Sequence, residues 1–144
     1  EVTETVPLHF HKMATEPEYP VEMVIFGNMS IALPPGEESE VIGNCDSDSD
    51  MTIFSAFPHM HLLGRSMVVE AGPDEDSLVE VFRRDPYDFD DQFLSPMELS
   101  IKEGDRVRVT CSYDNHHDEM VTFGESTTNE MCFFIEFLCC VYCT

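Results

Sequence analysis

Two histidines, His59 and His61, stand at i and i+2 in the run Phe57-Pro58-His59-Met60-His61-Leu62-Leu63-Gly64-Arg65. On a β-strand that spacing points both imidazoles to one face. Neutral imidazole suits copper, zinc, nickel and iron, so the pair reads as half of a metal site that lacks one or two further ligands. Other histidines are His9 and His11, again at i and i+2, and the adjacent His116 and His117. Nine methionines complete the supply of soft donors. A thioether selects copper(I), which zinc sites seldom require.

The elements that must position these residues read as strands. Segments with alternating or continuous apolar character run over 6–11, 21–33, 38–42, 51–57, 66–70, 78–82, 97–101, 106–113 and 131–142. Turn-forming residues close them, among them Pro34-Pro35-Gly36, Asp46 to Asp50, Ala71-Gly72-Pro73-Asp74, Glu103-Gly104-Asp105 and Asp114-Asn115. No helical period extends over ten residues. Many short strands separated by polar turns predict an all-β antiparallel sandwich of jelly-roll type, and 144 residues suit a single domain over 1–144.

A formal charge of −22, from 29 acidic against 7 basic residues, argues against nucleic acid and against an anionic membrane surface. No apolar run reaches the length that crosses a bilayer, so no membrane insertion is expected. Six cysteines, Cys45, Cys111, Cys132, Cys139, Cys140 and Cys143, lack zinc-ribbon spacing and predict disulfides in a secreted or periplasmic protein whose signal has been removed. Asp46-Ser47-Asp48-Ser49-Asp50 resembles the start of a calcium loop, but Met51 stands where glycine is needed, and a solvated turn is expected instead. Asn28-Met29-Ser30 is a glycosylation sequon.

The stretch Thr122-Phe123-Gly124-Glu125-Ser126-Thr127-Thr128-Asn129-Glu130-Met131-Cys132, taken with His59-Met60-His61-Leu62-Leu63-Gly64-Arg65, resembles the C-terminal catalytic domain of the copper type II ascorbate-dependent monooxygenases. That family includes peptidylglycine α-hydroxylating monooxygenase and dopamine β-monooxygenase. Its hallmarks are a His-x-His-x-x-Gly strand followed later by Glu-Met-Cys, and both occur here in that order. Leu8 to His11, Ile31 to Gly36 and Glu103 to Cys111 are similar to its opening strand, its Pro-Pro-Gly turn and its Gly-Asp strand leading to cysteine.

The resemblance implies one copper, cycling between Cu(I) and Cu(II), held by His59, His61 and Met131, with a position left open for O2. It also implies a Cys111–Cys132 bridge that tethers the neighbour of Met131. A second bridge would start at Cys45, and position alone favours Cys143 over Cys139 or Cys140 as its partner. The family's other copper, the H site, belongs to an N-terminal domain that this sequence does not contain, so His9, His11, His116 and His117 match none of its ligands. The chain is therefore expected to be a fragment or a stand-alone module.

Peptide-amidating members carry an arginine two residues before the first histidine and polar residues two and four after the methionine. Here those places hold Phe57, Phe133 and Ile135, which argues against a peptidylglycine substrate and for a small apolar or cationic one. The expected function is O2-dependent hydroxylation of a C–H bond. Ascorbate or another external reductant would supply electrons through a second copper or haem domain. The alternative is a non-catalytic copper-binding or copper-delivery domain on the same scaffold.

Overall fold

The computed structural model describes residues 21–139. Ten strands form an all-β antiparallel arrangement: β1 (Val21–Gly27), β2 (Ala32–Leu33), β3 (Glu37–Asp46), β4 (Met51–His59), β5 (Gly64–Gly72), β6 (Val79–Arg84), β7 (Ser95–Ile101), β8 (Arg106–Asn115), β9 (Val121–Thr122) and β10 (Phe133–Cys139). One 3₁₀ turn, Glu75–Ser77, capped by the Asp74 side chain, is the only other regular element among the described residues. One sheet has the order β1-β10-β4-β7 and the other β3-β8-β5-β6, while β2 and β9 form a short ladder of their own.

The two sheets enclose the core expected of a sandwich. Along β8 burial alternates without a fault, sending Val107, Val109, Cys111, Tyr113 and Asn115 inward. All but Asn115 join Met67 and Val69 of β5, Ile53 and Ala56 of β4, and Phe134 and Leu138 of β10 in one apolar cluster. Asn115, fully buried at the end of β8, avoids a desolvation penalty because its Nδ2 lies 2.9–3.0 Å from the carbonyls of Leu33, Pro34 and Glu119.

Strand extents differ from the sequence reading where tertiary pairing lengthens or splits a segment. The predicted strand 21–33 is two strands, because the Asn28 side chain accepts the Ser30 N–H and donates to the Ile42 carbonyl, turning the chain between them. Its sequon asparagine is thus part of a turn. β9 is too short to have a periodic signature. The Asp46–Asp50 segment is a turn, with Asp46 paired to Arg106 and Asp50 to Lys102. The predicted strand 6–11, His9 and His11 lie outside the described residues.

One irregularity aims the candidate site. The register of β4 slips between Ile53 and Ser55 against β7, and β10 slips at Phe137/Leu138 opposite the same place. Before the bulge Met51 and Ile53 face the core; after it Ala56 and Pro58 do, so Phe57 and His59 turn to the outer face. Without the extra residue, His59 would point into the sandwich.

Candidate metal centre

His59 is the last residue of β4, and His61 lies just beyond it, so the two histidines do not share a strand as the spacing predicts. The ladder stops because competing partners take the next backbone groups. Tyr87 Oη accepts the Met60 N–H at 2.9 Å and donates to the Met60 carbonyl at 2.6 Å. The His61 N–H goes to Glu130 at 2.9 Å. The rings nevertheless meet, edge to face, with centroids 5.1 Å apart. Gly64 closes the turn where a Cβ would come within 2.9 Å of Met60 Cβ and 3.1 Å of the Tyr87 ring, so a larger residue would push Met60 and the histidines apart.

Both imidazoles are oriented through Nδ1. His59 Nδ1 is 2.9 Å from Gln92 Oε1, and the identity of that oxygen follows from Gln92 Nε2 donating to the Phe89 carbonyl at 2.8 Å. His61 Nδ1 is 3.0 Å from the Asn129 carbonyl. An acceptor at Nδ1 fixes the proton there and leaves the Nε2 lone pair for a metal, the usual arrangement of a ligating histidine. Burial pushes the His59 pKa below its ordinary value, the Gln92 bond opposes this, and His61 adds to the lowering. The ring is thereby kept neutral, the form that coordinates.

The segment 129–132 runs beside this pair. Phe133 is in register with His59, which brings Met131, two residues earlier, alongside the Met60–His61 turn. Glu130 joins the two stretches: its buried carboxylate accepts from His61 N at 2.9 Å, Leu63 N at 2.7 Å and Met131 N at 3.3 Å. Burial pushes the pKa of Glu130 up while the backbone bonds from Leu63 and His61 pull it down. Tyr113 Oη donates to the Met131 carbonyl at 2.7 Å, and burial raises its pKa, keeping it a donor. The same holds for Tyr87, pushed up to about 12.

Cys111 and Cys132 form a disulfide between β8 and the residue after Met131, the pairing that the family resemblance implies. Closing a loop of that length contributes about 3 kcal/mol in the chain-entropy account. Cys45 is half-buried and unbridged among the described residues, while Cys140 and Cys143 lie outside them. His116 and His117, with ring centroids 4.6 Å apart, are exposed in the segment that follows β8.

Among the described residues no three His, Cys, Asp or Glu side chains converge, so a third donor of those types is not supplied. Two imidazoles and a thioether fit copper better than zinc. Around them lies an aromatic border: Phe57 stacks on His59 at 5.8 Å, Phe89 meets His61 edge-on at 6.2 Å, and Phe123 contacts Phe133 at 5.9 Å.

The family model for the copper type II ascorbate-dependent monooxygenase C-terminal domain matches residues 21–139. The chain belongs to this family. Relatives of the copper monooxygenase domain include a human protein named putative DBH-like monooxygenase protein 2, 31% identical over 73% of this chain and 24% of its own length. The mouse DBH-like monooxygenase protein 2 is 33% identical, covering 73% of this chain and 19% of that protein. Tyramine beta-hydroxylase of Caenorhabditis briggsae is 29% identical over 70% of this chain and 19% of its length. The chain thus spans a quarter or less of the relatives it matches.

Sequence reasoning singled out His59, His61 and Met131 and, through the family resemblance, the Cys111–Cys132 bridge beside Met131, but not the hydrogen-bonding side chains that hold the three. Glu130 stands within the Glu-Met-Cys triplet, and its spacing to Met131 was the available signal. Tyr87, Gln92 and Tyr113 are brought in by long-range packing and carry no local signature.

Proposed function

We propose that His59 and His61, through Nε2, and Met131, through its thioether, hold one copper ion. As part of a larger protein the domain would use O2 and an external reductant such as ascorbate to hydroxylate a C–H bond of a small apolar substrate. The observation that carries this reading is the occupation of both Nδ1 atoms by acceptors, which leaves two directed Nε2 donors beside a methionine-bearing segment clamped to the same turn. Bound copper would supply one-electron chemistry with O2, the thioether favouring its reduced state.

The chain's own residues do the remaining work. Gln92 and the Asn129 carbonyl hold the imidazoles, Glu130 fixes the spacing of the two ligand segments, and Tyr113 with the Cys111–Cys132 bridge holds the backbone around Met131. Phe57, Phe133 and Ile135 lie on the outer face beside His59, with Phe57 in register with Ile135. That surface offers no charge to a carboxylate and favours an apolar substrate over peptidylglycine. The disulfide fits an oxidising compartment, consistent with a secreted protein. No described helix is long and apolar enough to cross a membrane.

Cu(I) affinity measured by chelator competition should fall at least tenfold in each of His59→Ala, His61→Ala and Met131→Ala. With a reductant, and with a domain that supplies electrons, oxygen from labelled O2 should enter an aromatic or aliphatic substrate. Tight copper binding without oxygen incorporation under any pairing points to the copper-delivery role instead; unchanged affinity in all three variants rejects both.

A further inference from the structure

Glu136 lies in the middle of β10 with no exposed surface, and neither carboxyl oxygen has a hydrogen-bond partner among the described residues. It shares the inward parity of Phe134 and Leu138, and its register neighbours are Val24 of β1 and Ala56 of β4. The facing sheet presents Phe82, whose ring is 5.0 Å from that of Phe134, together with the apolar inner faces of β3, β5 and β8. A charged carboxylate left unpaired in such surroundings costs several kcal/mol.

Titratable groups on the core-facing sides of the surrounding strands are few. β1 carries Glu22, exposed at its start; β3 carries Cys45 and, exposed at its start, Glu37; β8 carries Tyr113, committed to the Met131 carbonyl; and β6 carries Arg84, bonded to Ser95 and stacked over Phe93. β4 and β5 bring none to that side. None of these groups shifts the Glu136 carboxyl, which is displaced by burial alone.

We propose that Glu136 is a proton-operated latch: while protonated it lets β10 sit between β1 and β4 in the sandwich core, and loss of its proton to solvent drives the carboxylate outward and opens the domain. β10 begins one residue after Cys132, so opening would also displace the segment that carries Met131. The proposal concerns the metal-free fold and stands apart from the copper reading.

The sign follows from linkage. Burial raises the folded carboxyl from 4.5 to about 8. Between those values the folded form keeps a proton that the unfolded chain has released, so stability is full below the ordinary carboxylate range and falls as pH rises. The folded-to-unfolded ratio drops by up to about tenfold per pH unit and levels off once the folded carboxyl has ionised. Asp46, Asp50 and Glu80, lowered by their basic partners, lose their contribution only in acid, below this window.

Thermal unfolding of the chelator-treated full chain between about pH 6 and about pH 9, at constant ionic strength, tests the latch against Glu136→Gln and Glu136→Leu. The wild-type Tm should fall across the range and the variants should lose most of that slope. Parallel profiles overturn the proposal. If neither variant folds, carbon NMR of the wild-type Glu136 carboxyl decides: a titration midpoint well above the ordinary range supports the latch, and one within that range overturns it.

Discussion

Glu130 and Glu136 are six positions apart in one segment, and both are fully buried, yet they differ in their hydrogen bonding. Glu130 gathers three backbone N–H groups from two separate stretches, whereas Glu136 gathers none among the described residues. Burial by itself therefore says little about what an acidic side chain does. Where the chain spends donors on a carboxylate, that carboxylate becomes a structural joint, here between the histidine turn and the methionine segment. Where it spends none, the carboxyl must stay protonated to remain inside, and the fold becomes sensitive to pH.

The strongest way to break this comparison is to truncate both. Glu130→Ala strips partners from the N–H groups of His61, Leu63 and Met131 and should destabilise the domain by about 4 kcal/mol in urea unfolding. At about pH 8, Glu136→Leu should instead stabilise it, since it removes an orphaned acid and keeps the volume apolar. Equal losses at the two sites would erase the distinction drawn here. Glu130→Ala should also weaken Cu(I) binding without touching a ligand.

A smaller effect sharpens the same contrast by separating support of the fold from support of the ligands. Gln92→Leu removes the acceptor at His59 Nδ1 together with one donor to the half-buried Phe89 carbonyl, far less than the three N–H groups that Glu130 holds. Cu(I) affinity should fall about 10–100-fold while the urea midpoint moves little. A large loss of stability with unchanged affinity would make Gln92 part of the fold rather than of the metal centre.

Much of this was legible in the sequence, for physical reasons that also mark the limit. β8 is readable because its inward residues alternate strictly over Arg106–Asn115, and the sandwich follows from several such strands closed by turns. The bulge in β4 was not readable: Ile53-Phe54-Ser55 carries no glycine to announce it, yet it decides which way His59 faces. His59, His61 and Met131 stand out by residue type and context. Their supports do not, because Gln92 and Tyr87 reach the site from a loop between β6 and β7 that only the tertiary fold brings near. Glu136 was visible only as an interruption of an apolar run; that it points inward rather than out depends on register.

The central claim is that the two histidines and Met131 share one copper ion. X-ray absorption of the Cu(I)-loaded protein tests it most directly. The predicted result is a shell of two nitrogen donors with one sulfur, the sulfur disappearing in Met131→Ala. A spectrum without sulfur, or a sulfur that persists in Met131→Ala, would contradict it.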